Sequence, residues 1–444
     1  MVATPSLRLP AACVLCLLTC CERLSTAEAE ALAQEEMVAG VAACLTPDTD
    51  PAQDASRFAG ALRRARVALS PPEMASAAGI ALLVCDTGCC LMAQSSAAPG
   101  GAAALPPRAQ FKALLLSTGA LSSICARAHS AAHALCADAP SGGAASQAGR
   151  DDAAAALARC TRVLEHVCFE AEACAQHVLT WTPPDAAFAH GQVLPALCSC
   201  LAPLARRAGD AGAPTCVGAA LRSALAVVTN VTNERPQAGA ALLACGGVAS
   251  LAQLLRPLSE SVLQSQGGPS AAHADALNAA LCALANAAEV CPPVAGALSG
   301  EHLQFVATLF AQAHALTTGA APAQDGGEGE QAAPVDGDND VTLEALDAAE
   351  RSAAAVILAA YCALLLACLL HAGGDGGGHG EVAACQATGS LEPVVATVER
   401  FLLFHTRINT LSPTAEATLR EAARSMRAWQ QAQRQSTAPP EAGA

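Results

Sequence analysis

Lysine is almost missing from this 444-residue chain, in which Lys112 is the only one. The formal net charge is −15, and nearly all the positive charge comes from arginines that are scattered along the sequence. Proteins that bind nucleic acid directly present a clustered basic face. We therefore expect no direct contact with nucleic acid, and any link to DNA should pass through a protein partner.

Aromatic residues are also scarce, at 2 % of the chain, and runs of β-branched residues are few. Strands are built mainly from those two classes of residue, so the sequence offers little material for a sheet. Apolar residues nevertheless make up 53 % of the chain, and alanine and leucine supply most of them. Alanine and leucine favour helix, and small side chains let helices pack closely, so we predict an all-α fold.

The chain contains 22 cysteines. Several lie at the spacing of a buried helix face, as in the series Cys160, Val163, Leu164, Val167 and Cys168. Cysteines in such positions act as small apolar side chains, and a chain of this length does not need disulfides. We therefore expect a reducing compartment.

No cofactor or metal is expected. Cys125, His129 and His133 would stack on one helix, but a single straight helix cannot surround a tetrahedral zinc ion. The glycine-rich stretch 373–380 lacks the Lys-Ser/Thr ending of a phosphate loop. The sequence also shows no Ser-His-Asp or Cys-His order of the kind that forms a catalytic triad or dyad. The sequence thus indicates a non-enzymatic protein.

Two segments favour a different location. The N-terminal stretch around Arg8 resembles a secretory signal, although it also suits a first solenoid helix. Residues 353–370 are uncharged over the shortest length that spans a membrane. We favour a buried central helix there, because the segment is rich in alanine and has acidic flanks, so no membrane association is expected.

Helical blocks alternate with breaks of small residues, among them 139–149 and the acidic stretch 321–340, which we expect to be a disordered loop. Asp151 and Asp152 can cap the helix that runs through Cys168. Gly246 and Gly247 suit a helix stop. Ser412, Pro413 and Glu416 together suit a helix start.

Three segments share one frame: 157–179, 224–247 and 280–300. In each, an apolar helix ends near a polar residue, a break follows, and a second helix comes after it. This repetition is typical of an armadillo/HEAT-like right-handed α-solenoid.

The polar residues of this frame form our candidate binding groove. On the second repeat, Leu221, Leu225 and Val228 share a face that should be buried, while Arg222, Ala226, Asn230 and Asn233 share another. On the third, Leu277, Leu281, Leu284 and Ala288 form one stripe, and Asn278, Cys282, Asn286 and Glu289 form the other. His166 takes the same place in the first repeat.

Asparagines in a concave groove can pair with the backbone of a partner peptide. Asn230 and Asn233 equally suit the end of a helix, where they would satisfy its last carbonyls.

The order of these blocks resembles the C-terminal helical-repeat domain of the Wings-apart-like (WAPL) cohesin-release factors. The stretches that carry the resemblance are CTRVLEHVCFEAEACAQHVL, VVTNVTNERPQAGAALLACGG, ALCALANAAEV and AAYCALLLACLL, the last preceded by an acidic insertion, with a continuation through VERFLLFHTRINTLSPTAEATLREAARSM. The similarity covers residues 108–430. Residues 1–107 are an N-terminal helical segment that matches poorly, and 431–444 should be a disordered tail.

This resemblance implies a non-enzymatic regulator of sister chromatid cohesion, located on chromatin in the nucleus. Such proteins bind the cohesin ring through its kleisin and its HEAT-repeat accessory subunit, and they promote opening of the gate between the kleisin and an SMC head. The chain lacks the Phe-Gly-Phe docking motifs that members of the family often carry. Two alternatives stay open: a generic armadillo-repeat adaptor, and a secreted or membrane-anchored cysteine-rich protein.

Overall fold

The computed structural model describes residues 112–437, apart from the gaps 138–143, 184–191, 265–270, 319–342 and 373–386 and a few isolated positions. The predictions for residues 1–107, for the N-terminal signal and for the acidic insertion 321–340 lie outside the described residues. Over the described residues the chain is helical and has no strand, which confirms the all-α class.

The chain divides into two compact units, the first ending at Val231 and the second beginning at Thr232. The helices of the first unit are α1 Ala120–Cys136, α2 Ala144–Cys168, α3 Glu172–Thr180, α4 Val193–Ala208 and α5 Thr215–Thr232, whose last residue already belongs to the second unit. Within this unit α1 packs against α2 and α4, and α3 contacts all three of these helices.

The second unit contains the remaining helices of the described chain. These are α6 Pro236–Ala244, α7 Gly247–Gln264, α8 Ala271–Val290, α9 Pro292–Ala297, α10 Glu301–Thr318, α11 Leu343–Ala372, α12 Glu392–Arg407 and α13 Pro413–Thr437. In this unit α6, α7 and α9 pack around α8, and α12 packs against α13. Most helices of the described chain thus pack against a helix that follows or precedes them in sequence, an arrangement compatible with an armadillo/HEAT-like α-solenoid. The right-handed sense stays a prediction.

Helix α11 is the central element of the second unit. It contacts α8, α9, α10, α12 and α13, and every residue from Cys362 to Leu369 is buried. Its most apolar stretch, Ser352–Ala372, has a mean hydropathy of 2.7 and is 67 % buried within the protein. The predicted burial of the segment 353–370 is therefore confirmed over 362–369, but it is wrong near the start of the segment, where Val356 and Ile357 are 44 % and 47 % exposed.

Length and composition indicate which helices could cross a membrane. On those grounds two helices of the described chain are long and apolar enough to cross a membrane, α5 and Ser352–Ala372. The bent pair α6–α7, with an angle of 79°, would make a third if it counted as one span.

Two predicted helix boundaries are confirmed. Gly246 adopts a φ of 72°, which a residue with a Cβ rarely does, and it separates α6 from α7. At the start of α13, the hydroxyl of Ser412 accepts a hydrogen bond from the main-chain N–H of Ala415 at 3.1 Å, and Pro413 is the first helical residue. Sequence signals of this kind are reliable because they satisfy backbone groups locally.

The expected cap of α2 is wrong. The helix begins at Ala144, so Asp151 and Asp152 lie inside it and the break expected at 139–149 is half helix. Asp151 instead forms a salt bridge of 2.5 Å with Arg207, on α4. A half-buried carboxylate in the middle of a helix is tolerated when a basic side chain on a neighbouring helix pairs with its charge.

Helix α13 extends to Thr437, into the segment 431–444 that we expected to be disordered. Residues 431–437 contain no proline or glycine, whereas Pro439 and Pro440 follow at once. Proline disfavours helix in the residue before it, so the sequence favours helix up to about Thr437 and not beyond.

Candidate protein-binding surface

The apolar faces predicted for α5 and α8 are buried. Leu221, Leu225 and Val228 on α5 are each 0 % exposed. On α8 the same is true of Leu277, Leu281, Leu284 and Ala288. Each helix therefore turns one stripe to the core of its unit, as the periodicity indicates.

The second stripe of each helix is half-buried. We call Arg222, Ala226 and Asn230 the α5 polar face, and Asn278, Cys282, Asn286 and Glu289 the α8 polar face. The α5 polar face belongs to the first unit and the α8 polar face to the second. Of the predicted groove residues, His166 and Asn230 therefore lie in the first unit, and Asn233, Asn286 and Glu289 lie in the second.

Asn230 joins two helices of the first unit. Its Nδ2 donates a hydrogen bond of 2.9 Å to the main-chain carbonyl of Glu165, in the last turn of α2. Arg222, two turns earlier on α5, forms a salt bridge of 3.8 Å with the carboxylate of Glu165. The carbonyl of Glu165 also accepts a hydrogen bond of 3.2 Å from the main-chain N–H of Phe169, so Asn230 adds a second donor from a neighbouring helix, which neither of the two sequence interpretations foresaw. His166, the next residue along α2, is half-buried.

A buried hydroxyl pair strengthens the same contact between α2 and α5. Thr161 is 0 % exposed and Ser223 is 1 % exposed, and their Oγ atoms lie 2.6 Å apart. Thr161 also donates to the carbonyl of Leu157 at 2.7 Å, which is the usual way for a hydroxyl to be satisfied inside a helix. The polar residues of α5 therefore have a structural role in the first unit.

Asn233 differs from Asn230. It is exposed, and its main-chain carbonyl accepts a hydrogen bond of 3.2 Å from the guanidinium of Arg235. The next residue, Glu234, has a φ of 56°, which is uncommon for a residue other than glycine. Asn233 therefore lies in a tight turn with its side chain at the surface, where a partner can reach it.

The α8 polar face contains one buried side-chain acceptor that has no donor among the described residues. Within the described part of the chain, Oδ1 of Asn278 is buried and has no hydrogen-bond partner. Asn286, two turns further on, accepts a weak bond of 3.9 Å from Sγ of Cys282. A buried carbonyl without a donor costs about 1–3 kcal/mol. Asn278 thus keeps an acceptor that an incoming N–H group could satisfy.

Glu289 lies at the end of the α8 polar face, close to residues of two other segments. Burial raises the pKa of its carboxyl, the Thr418 hydroxyl opposes that rise, and the nearby Glu234 carboxylate adds to it. Ser412 in turn donates a hydrogen bond to Oε1 of Glu234. The first turns of α13 therefore lie against the Glu289 end of this face, so the chain itself covers part of the expected groove.

Sulfur and phenol groups near this face are not activated for chemistry. Burial raises the pKa of the Cys282 thiol to about 12 and that of the Tyr361 hydroxyl to about 12, and it also raises the pKa of Cys368. A thiol reacts as a nucleophile in its ionised form, so these groups are neutral and inert near pH 7. The arrangement suits hydrogen bonding to a partner.

The histidine series of α1 is a packing feature. The rings of His129 and His133 have centroids 4.5 Å apart, and His129 also stacks at 5.8 Å against Trp181. His129 is 3 % exposed. Over the described residues, no group of three or more His, Cys, Asp or Glu side chains is placed to hold a metal ion.

Comparison with known proteins identifies no relative. No model of a protein family matches the chain, and no curated protein matches it. A crystal structure of an engineered protein from the Northeast Structural Genomics Consortium is 13 % identical and covers 94 % of this chain and 99 % of that chain, with a TM-score of 0.22. So low a score carries no argument about fold or function.

Proposed function

We propose that this protein is a non-enzymatic helical scaffold that binds an extended segment of another protein along the α8 polar face. The observation that carries the proposal is the buried, unpartnered Oδ1 of Asn278, on a face whose other members are half-buried. A peptide backbone offers one N–H and one C=O per residue, and asparagine can pair with both. The exposed Asn233 offers a second amide in the same unit.

Within this class we propose the more specific role of a cohesin regulator. Its support is the order of the four sequence blocks and the acidic insertion that resemble the Wings-apart-like factors. The partners are then the kleisin, the HEAT-repeat accessory subunit and the SMC head of cohesin, and the location is chromatin in the nucleus. A net charge of −15 suits contact with DNA through those partners only.

The state of the cysteines supports this proposal over a disulfide-linked secreted protein. The 13 cysteines in the described part of the chain are present as thiols, and nine of them are buried. Buried thiols at helix-core positions replace small apolar side chains and need no oxidising compartment. A generic armadillo-type adaptor is the alternative that shares the same surface.

Asn278→Ala is the sharpest test of the scaffold proposal. The substitution removes a buried acceptor that has no partner, so the free protein should melt at the same temperature as the wild type or higher. Binding to the partner should nevertheless weaken by roughly tenfold, the effect of losing about 1.4 kcal/mol. Gln253→Ala, an exposed amide on α7, is the matched control and should leave both quantities unchanged.

The partner itself is tested by affinity purification from nuclei, followed by pull-down with purified kleisin and accessory subunit. Recovery of both subunits, reduced by Asn278→Ala, is the expected result. Recovery of other proteins only would remove the cohesin proposal and leave the generic adaptor. Secretion of a reporter fused to residues 1–40 would overturn the nuclear location.

A further inference from the structure

The first unit contains a cavity that the proposed binding surface does not use. Its volume is about 400 Å³, and it lies where the end of α1, the first turns of α2 and the end of α4 meet. Small-molecule sites begin at about 300 Å³, so the cavity has room for a small ligand. Leu135 and Leu204 supply its apolar wall.

Basic groups outnumber acidic groups around this cavity. Arg150, Arg206 and Arg207 line it, together with one carboxylate, that of Asp210. Asp151 adds a second carboxylate, which is already paired with the Nη2 of Arg207 at 2.5 Å. Three guanidinium groups against two carboxylates leave a positive site on a chain whose net charge is −15. This contrast is local and does not follow from composition.

Unused hydrogen-bond donors concentrate in the same place. In the described part of the chain, seven buried side-chain polar atoms have no hydrogen-bond partner. Three of the seven, Nε2 of Gln147, Nε of Arg150 and Nε of Arg207, belong to residues that line this cavity. All three carry N–H groups and lack an acceptor.

Such a set of donors is costly unless something accepts from it. A buried donor without an acceptor costs about 1–3 kcal/mol, and more when the group is charged. A ligand that satisfies three N–H groups of this kind must offer several acceptor atoms close together and carry negative charge. Oxyanions fit both conditions, because their oxygens lie at the spacing of the guanidinium N–H groups.

We propose that this cavity is a binding site for an oxyanion, the phosphate or carboxylate group of a small molecule, held by Arg150, Arg206 and Arg207 with Gln147. The salt bridge to Asp151 holds the guanidinium of Arg207 in place, because it occupies Nη2 and leaves Nε for the ligand. Leu135 and Leu204 would contact the remainder of the molecule. The site is separate from the α8 polar face, so the anion-binding proposal does not depend on the protein-binding proposal.

The test is calorimetric titration of the full chain with inorganic pyrophosphate and, in a second arm, with citrate. Each is compared with sodium chloride at the same ionic strength, since general screening affects every charged surface. We expect saturable binding of at least one anion, and the anion that binds identifies a phosphate or a carboxylate ligand. Absence of saturable binding by both anions would overturn the proposal.

Two variants distinguish a specific anion site from nonspecific electrostatic attraction. Arg150→Gln removes one central donor, and Arg206→Gln removes an exposed guanidinium whose loss leaves the helix packing intact. Both substitutions should lower the affinity for the anion by roughly tenfold, since a hydrogen bond to a charged group contributes about 1.5–3 kcal/mol. Arg424→Gln, on the exposed side of α13, makes the same change of charge and should bind like the wild type. Equal affinity in all three variants would overturn the proposal.

Discussion

The side-chain amide of Asn230 donates a hydrogen bond of 2.9 Å to the main-chain carbonyl of Glu165. The bond crosses from α5 to the last turn of α2, where it adds a second donor to a carbonyl that also accepts from the main-chain N–H of Phe169. Asn230, which the sequence presents either as a groove amide or as a cap at the end of its own helix, therefore stabilises the packing of α5 against α2 in the first unit. The neighbouring asparagine at the surface, Asn233, keeps its side chain exposed.

Asn230→Ala should destabilise the protein by about 1 kcal/mol, because the buried end of α2 loses a donor. Asn230→Asp should lower the free energy of unfolding further, since a carboxylate cannot donate a hydrogen bond and would face the carbonyl oxygen of Glu165. Asn233→Ala, on an exposed side chain, is the control and should stay within about 0.5 kcal/mol of the wild type. Urea unfolding measures all three, and equal stability of Asn230→Ala and Asn233→Ala would contradict the role of the bond.

Gly239→Ala should destabilise the second unit. A Cβ added there would lie 2.8 Å from Cβ of Cys291 and 3.4 Å from the carbonyl of Ala287, so α6 would have to move away. Overpacking of this kind costs about 1–3 kcal/mol. Gly296→Ala, in α9, meets no atom within 4 Å and should raise helix stability by up to about 1 kcal/mol. Thermal melting of the two variants should therefore shift in opposite directions.

The buried thiols should resist labelling in the native protein. Burial raises the pKa of Cys160 to about 12 and also raises the pKa values of Cys125, Cys200 and Cys362, so all four are protonated at about pH 8. A maleimide reagent should modify half-exposed Cys136 before these four, which should react only after unfolding. Mass spectrometry of the labelled peptides measures the order in which the cysteines are modified, and early modification of Cys160 would contradict its burial.

Glu289 should make the protein less stable as the pH rises. Burial raises the pKa of its carboxyl above the unfolded value, so the native state binds the proton more tightly. The stability from this group is fully present below the unfolded pKa and is lost as the pH rises through the higher native pKa.

Glu289→Gln removes this ionisation. Its advantage in unfolding free energy over the wild type should be greatest near neutral pH and should shrink toward about pH 4. Glu260→Gln, at an exposed position of α7, is the control and should show no such trend. A pH-independent difference between Glu289→Gln and the wild type would show that the carboxyl is equally solvated in both states.

Helix signals that act locally could be read from the sequence. The buried stripe Leu277, Leu281 and Leu284 follows from periodicity, and the start of α13 at Ser412 follows from its capping pattern. The start of α2 could not be read, because the salt bridge of Asp151 with Arg207 connects residues far apart in the chain. Gln147 could not be predicted as a candidate site residue because it lies in the stretch 139–149, whose small residues predict a break, and Arg150 follows that stretch directly.

Composition and periodicity by themselves determined that this protein is all-α, that alanine, leucine and cysteine form its core, and that the stretch 362–369 of α11 is buried. They could do so because the apolar spacing of one helix is a property of that helix alone. Only the tertiary structure decided which polar groups are used within the chain and which have no partner. Asn230 meets a carbonyl of α2, Oδ1 of Asn278 meets no donor, and three arginines converge on one cavity, because each outcome depends on which other helix lies opposite.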